Sequence, residues 1–195
     1  MRTNPLYDPA AGSMRLREAV PEAATPRVFR NSKVIANDYQ FVPDDAELPD
    51  GAVIVSTKRF LADRPSLLSR HAPLGVRLDT SQSPEILSAD LTQLALVEIH
   101  IPYFKDGRAF SWARLLRTRL TYRGEIRITG HFLPDQIAFF QRVGVDSFVL
   151  SENMTLTQIE KATSYVTQVY QPSVDAKPTI SDLRMRKHIS AIAAE

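Results

Sequence analysis

Short apolar runs alternate with stretches of helical period along most of the chain. Ala52–Val55, Gly75–Leu78, Leu96–Ile101, Glu125–Thr129 and Ser147–Leu150 are four to six residues long and rich in branched side chains, the pattern of strands. Ser83-Pro84-Glu85 has the chemistry of a helix start: a hydroxyl to accept free amides, proline at the first helical position, and an acid at the positive end of the dipole. In the segment from Ser111, Trp112, Leu115, Leu116 and Leu120 fall within one arc while Arg114 and Arg117 point away. Pro134-Asp135 opens another helix, with Gln136, Phe139, Phe140 and Val143 on its buried side and Gly144 suited to the left-handed position after it. Thr155 and Gln158 form a capping box, behind which Leu156, Ile159, Ala162, Val166 and Val169 recur at helical spacing. Strands alternating with helices of this length predict βαβ units: a mostly parallel sheet of about four to five strands flanked by helices. A (β/α) half-barrel-like sheet and a flavodoxin-like one both fit.

The pattern weakens at both ends. Residues 1–27 carry mixed charge and prolines without a period and read as a flexible leader. A single α/β domain is expected over 28–171, and a basic C-terminal tail over 172–195. In that tail, Ser181–Ile192 fits either a helix with Met185, Ile189 and Ile192 on one face or a disordered segment. Val28-Phe29 and Val34-Ile35, separated by Arg30–Lys33, read as a small hairpin. Phe60, Leu61, Leu67 and Leu68 suggest a helix interrupted near Pro65. Asp44-Asp45 and Pro49-Asp50-Gly51 are turns.

Composition narrows the chemistry. The 195 residues are 44% hydrophobic and 24% charged, ordinary for a globular domain, and the net charge of +2 is too small to argue for nucleic acid. The chain has no cysteine, which excludes disulfides, thiolate catalysis, thiolate-bound iron–sulfur clusters and cysteine zinc sites. No apolar run approaches the roughly 20 residues of a membrane helix, and the N-terminus lacks a charged-then-apolar signal pattern. A cytoplasmic protein is expected.

Ligands of open parallel sheets bind beyond the carboxyl ends of the strands, where the loop Tyr103–Arg108 falls. Asp106-Gly107-Arg108 makes a tight turn that projects Arg108 towards a helix N-terminus, an anion site in the making. Asp135 and Gln136 follow the next strand and should reach the same edge. Ser111 reads as an N-cap, not a nucleophile, and with Asp106, Arg108, Asp135 and Gln136 completes the candidate anion-binding set. His100 and His131 lie near strand ends but lack ligand spacing, so no metal is expected. Neither a Gly-x-Gly-x-x-Gly nor a Walker loop is present. No cofactor is expected either: no haem, flavin or iron–sulfur chromophore.

The order Phe104-x-Asp106-Gly107-Arg108-x-x-Ser111-x-Ala113-Arg114-Leu115-Leu116-Arg117 resembles the signature of a bacterial domain-of-unknown-function (DUF) family. The match continues through Gly124-Glu125, Arg127, Gly130, Asp135-Gln136, Arg142, Gly144 and Asp146-x-Phe148. The family usually carries Arg-Cys-Gly-Phe-Asp-Ala where this chain has Arg142-Val143-Gly144-Val145-Asp146-Ser147, so a thiol role there has no counterpart. It also carries Glu-Phe-Pro where this chain has Glu98-Ile99-His100-Ile101-Pro102. Genes of that family commonly lie beside the sulfite reductase haemoprotein gene, and its members are labelled oxidoreductases of sulfite reduction. The resemblance implies an accessory protein of assimilatory sulfite reduction in sulfur assimilation, non-catalytic on its own. Its implied partner is the sulfite reductase haemoprotein or another sulfur-assimilation enzyme. An enzyme or a regulatory module acting on a small anionic ligand at the sheet edge stands as the alternative.

Overall fold

The computed structural model describes residues 26–165 and 167–192. The leader expected over 1–27 therefore lies almost wholly outside the described residues. Eight strands form one sheet: β1 (Arg27–Arg30), β2 (Lys33–Ala36), β3 (Gln40–Val42), β4 (Val53–Ser56), β5 (Leu74–Asp79), β6 (Leu96–Ile101), β7 (Glu125–Gly130) and β8 (Ser147–Leu150). Their order is β2-β1-β8-β7-β6-β5-β4-β3. From β3 to β8 every pair is parallel, and β1 joins β8 antiparallel with β2 as its hairpin partner. The mostly parallel class expected from the sequence is present, with eight strands instead of four or five. The increase comes from the hairpin, which joins the main sheet, and from β3, which is only three residues long.

Two features make the sheet a half-barrel and not a flavodoxin-like one. The parallel strands follow one another in chain order, without the reversal that creates a topological switch point. The two edge strands, β2 and β3, are joined by only Asn37, Asp38 and Tyr39. Four Cα steps span at most about 15 Å, whereas seven flat interstrand steps would separate the edges by about 34 Å. The sheet must curl so that its edges approach.

The helices are α1 (Thr57–Ala62), α2 (Arg64–Leu68), α3 (Arg108–Thr118), α4 (Pro134–Arg142), α5 (Leu156–Ser164) and α6 (Ile180–Ile192). The core lies between them and the outer face of the sheet, where Val76, Leu78, Val97, Ile99, Ile126, Ile128 and Phe148 meet Phe60, Leu67, Ala113, Leu116, Ile137 and Phe140. Phe110 stacks on Phe140 with ring centroids 3.8 Å apart. Ile54 and Leu96 are also buried but stand apart from this cluster, because their register positions face the concave side.

Several local expectations change. Ser83 does open a helical turn, but as two short 3-10 turns (Pro84–Leu87 and Leu91–Gln93) instead of an α-helix. α3 begins at Arg108, so Ser111 lies inside the helix and is not its N-cap. The amide of Arg108 is met by Asp106 Oδ1 instead, at 3.1 Å. α5 has the expected capping box, with Thr155 and Gln158 exchanging bonds of 2.9 and 3.3 Å, yet it stops at Ser164. Val169 therefore lies beyond it, paired with Thr179; Val166 lies outside the described residues. Over Ser181–Ile192 the helical alternative holds, within α6.

Arg117, expected to point away from the fold, is its main clasp. Its Nε donates to Gly144 O at 2.9 Å, and Nη1 to the carbonyls of Tyr122 and Gly124 at 2.7 and 2.8 Å. Its Nη2 donates to Asp146 Oδ2 at 2.5 Å, and the same carboxylate oxygen accepts the amide of Ile126 at 2.8 Å. Gly144 has φ +98°, and a Cβ there would lie 2.5 Å from Arg117 Cγ. A planar fork with five donors can hold three carbonyls and a carboxylate at once. This binds the end of α3 to the start of β7 and the α4–β8 turn.

Candidate functional site

A parallel register brings equivalent positions of neighbouring strands side by side, and alternation sends every second side chain to one face. On the concave face the consequence is a row of polar side chains crossing six strands: Ser56, Arg77, Glu98, Arg127, Ser147 and Arg30. One layer nearer the carboxyl ends, Asp79, His100 and Thr129 are in register. One layer nearer the amino ends lie Ile54, Gly75, Leu96 and Glu125.

The half of the row towards β8 is internally closed. Glu125 Oε1 accepts from Arg127 Nη2 at 2.8 Å and from Ser147 Oγ at 2.5 Å, while Arg30 Nη1 reaches Oε2 at 2.9 Å. Arg127, 4% exposed, also donates to Asn37 Oδ1 at 2.6 Å. The segment joining β2 to β3 thus runs over the concave face, and its Tyr39 ring lies 5.2 Å from the Arg127 guanidinium carbon. Burial and the nearby Glu125 carboxylate both raise the Tyr39 pKa, leaving a neutral phenol there.

The other half is open. Arg77 Nε donates to Glu98 Oε1 at 2.5 Å, and the guanidinium lies 3.5 Å over the ring of Phe41. Glu98 is 2% exposed, so its charge depends on this partner. Among the described residues, the two outer nitrogens of Arg77 have no hydrogen-bond partner. Arg77 lines a shallow cleft of about 200 Å³ whose other walls include Ser56, Lys58, Asp79, Gln82 and His100. Ser56 Oγ is committed to Asp44 Oδ1 at 2.5 Å and accepts the amide of Arg59 at 3.0 Å.

Asp79 ends β5, and its Oδ1 accepts the amide of Ser81 at 2.8 Å. Burial works against its ionisation, but hydrogen bonds from Ser81 and the charges of His100 and Arg108 carry its pKa below the ordinary carboxylate value. His100 moves the other way: burial and the Arg77 charge lower its pKa, with Asp79 only partly opposing them. Its Nδ1 is buried and has no hydrogen-bond partner among the described residues. Gly130 makes room for this arrangement, since it has φ +93° and a Cβ there would sit 2.2 Å from Ile101 O and 3.1 Å from the His100 ring. The cleft thus combines the Arg77 guanidinium, the ionised Asp79 carboxylate and the neutral His100 imidazole, with the Lys58–Asp44 pair on its wall.

The residues expected from the sequence to hold an anion all lie at or just beyond the carboxyl end of the sheet. Asp106 takes both Nε and Nη2 of Arg108, at 2.9 and 2.7 Å, and also accepts from Thr80 Oγ1 at 2.5 Å. Those bonds, Arg108 first, hold its carboxyl well below the usual range. Neither member of the pair is among the residues that line the cleft, but Arg108 is close enough for its charge to act on Asp79. Ser111 is exposed on α3, and Asp135 is exposed in the first turn of α4. Gln136, expected to face the buried side, is half-buried and turns its Oε1 back to the Leu133 amide at 3.0 Å, satisfying a free amide of the helix start. Among the described residues no hydrogen bond or ion pair joins the Asp106–Arg108 pair to Asp135 or Gln136.

Arg77, Ser56 and Gln82 were not among the candidates. A signal for Arg77 exists nonetheless: Arg77/Asp79, Glu98/His100 and Glu125/Arg127/Thr129 are spaced by two on three successive strands, which assigns one face of a buried sheet to polar groups. Among the described residues there is no group of three or more His, Cys, Asp or Glu placed to hold a metal. No helix among them is long and apolar enough to cross a membrane.

The model of a bacterial protein family of unknown function, DUF934, matches residues 75–180, a span that holds β5 to β8, the Arg117 clasp and the Arg77, Asp79 and His100 side of the cleft. No curated protein matches the chain.

Proposed function

The chain belongs to that family, and from this premise we propose that it is an accessory protein of assimilatory sulfite reduction, non-catalytic on its own, which binds a small anion in the cleft at the carboxyl end of its sheet. The pathway comes from the resemblance of the Phe104–Arg117 signature to a family encoded beside sulfite reductase. The observation that supports the anion is Arg77. Its guanidinium is held by Glu98 on one edge and Phe41 on one face, leaving outer nitrogens that make no bond within the described protein. A preorganised guanidinium of this kind loses little rotamer entropy when it takes an oxyanion.

What the side chains offer supports the accessory role. Reduction of sulfite needs an electron carrier, and a chain without cysteine supplies no thiolate to anchor an iron–sulfur cluster. The carrier then belongs to a partner, for which the sulfite reductase haemoprotein is proposed. Tyr103 and Phe104, 75% and 40% exposed on the loop beside the cleft, are the aromatic anchors that such a contact would use.

Growth of a deletion strain tests this reading. The expected result is failure on sulfate or sulfite as sole sulfur source and normal growth on sulfide or cysteine. Unimpaired growth on sulfite would remove the protein from the pathway.

A further inference from the structure

Within the cleft, the cation does not act alone. Arg77 lines it with Nε held by Glu98 and its two outer nitrogens without a partner among the described residues, and the Asp79 carboxylate lines the same space. Asp44 and Lys58 line it too; Asp44 Oδ1 is occupied by Ser56, and its Oδ2 lies 3.9 Å from Lys58 Nζ. Asp79 accepts the Ser81 amide at 2.8 Å, and the Ser81 side chain also hydrogen-bonds the same carboxylate; with about four acceptor sites on its two oxygens, the carboxylate can still accept from a ligand. His100, next to Asp79 in the β5–β6 register, adds a ring with a buried nitrogen lacking a partner among the described residues.

A fully deprotonated oxyanion placed against Arg77 would set its own charge against the Asp79 carboxylate with no proton between them. That is a repulsive contact between two acceptors in a partly desolvated site. An oxyanion that retains one O–H avoids it. Its charged oxygens accept from Arg77 while its hydroxyl donates to a remaining acceptor site of the Asp79 carboxylate, a charge-assisted bond of the strong kind. Sites built to take a ligand's hydroxyl discriminate steeply against an analogue lacking it, because their own polar group is left unpaired.

We infer that the cleft selects a singly protonated small oxyanion over a fully deprotonated one, with Arg77 reading the charge and Asp79 reading the proton. This inference rests on the proposed anion site and names its ligand class. The selection separates sulfite and phosphate, which are partly protonated near neutral pH, from sulfate, which is not. An anion carrier that serves sulfite reduction has reason to reject sulfate, the more oxidised ion of similar size.

Calorimetric titration of the full chain with sulfate, sulfite and phosphate at neutral pH and constant ionic strength tests it. The expected result is sulfite and phosphate binding at least about tenfold tighter than sulfate. Asp79→Asn, which can donate as well as accept, is expected to bring sulfate to within about threefold of phosphate, with an unchanged far-ultraviolet spectrum. Equal affinity for all three ions in the parent protein overturns the proton reading while leaving the anion site intact. A variant that keeps the parent's preference overturns the role of Asp79. Absence of binding for all three overturns both this inference and the anion site on which it rests.

Discussion

Asp79 and His100 stand opposite each other in the β5–β6 register, two residues beyond the Arg77–Glu98 ion pair on the same face. The four side chains come from only two strands, and the pleat alone places them together. The carboxyl end of a curled parallel sheet is where strand ends and loops can present chemistry. Here the concave face carries polar groups directly to that end.

His100 gives the protein a pH dependence with a defined sign. Burial and Arg77 lower its pKa from the ordinary 6.5, so the unfolded chain takes up the proton more readily than the folded one. The stabilisation is therefore complete above that ordinary value and is lost as the pH falls through the window below it. Denaturant midpoints from pH 7.5 down to 5 should decline in the parent protein and decline less in His100→Gln. Identical slopes would show that His100 titrates as a free histidine.

Asp106 acts at lower pH and by a different partner. Its pKa is depressed by Arg108 and Thr80, so its contribution is present above the ordinary carboxylate range and disappears as the pH falls below it. The Asp106 side chain is 10% exposed and that of Arg108 is 55% exposed, so the two ends of the pair differ in cost. Asp106→Ala also frees the Arg108 amide and Thr80 and should cost about 1 kcal/mol or more. Arg108→Ala should cost less than Asp106→Ala, because an exposed member of an ion pair contributes little. Urea unfolding at pH 7 compares them, and the reverse ranking would contradict the pairing.

Arg117→Ala should be the most damaging of the arginine substitutions, since it leaves three backbone carbonyls and Asp146 without their donor. A loss of about 3 kcal/mol or more is expected. Arg117→Lys should recover little, because one ammonium cannot span the fork. Full stability in the lysine variant would mean that charge, not geometry, is what the clasp requires.

Gly130→Ala should destabilise by at least about 2 kcal/mol, from the positive φ together with the Ile101 carbonyl 2.2 Å from the added carbon. Gly51, with nothing within 4 Å of an added Cβ, should accept alanine within about 0.5 kcal/mol. Thermal melts of the two variants provide the contrast.

The fold was legible where periodicity carries it. The runs at Val53, Val76, Val97, Ile126 and Phe148 are strands because their alternate residues pack under the helices, and that packing leaves its trace in composition. The curl was not legible: it depends on three residues, Asn37–Tyr39, bridging strands that lie at opposite ends of the sheet order. Arg117 was misplaced because helical phase assigns a direction to a side chain's root, not to the end of a long one reaching Gly144 and Asp146. Gln136 read as buried from its phase, whereas its amide group closes the start of α4. The carboxyl edge of the sheet was legible from the strand ends, but the expected residues Asp106 and Arg108 do not line the cleft, and Arg77 stands out only when the period-two polar positions of β5, β6 and β7 are set in register.

The most direct test is calorimetric titration of sulfite into the parent protein and into the double variant Arg77→Gln, Glu98→Gln. The double change removes the guanidinium without leaving Glu98 as a lone buried carboxylate, so the unliganded fold should persist. The expected result is saturable binding in the parent and affinity at least about tenfold weaker in the variant, with similar melting temperatures in the absence of ligand. Equal sulfite affinity in the two proteins, or no binding by the parent, would contradict an anion site built on Arg77.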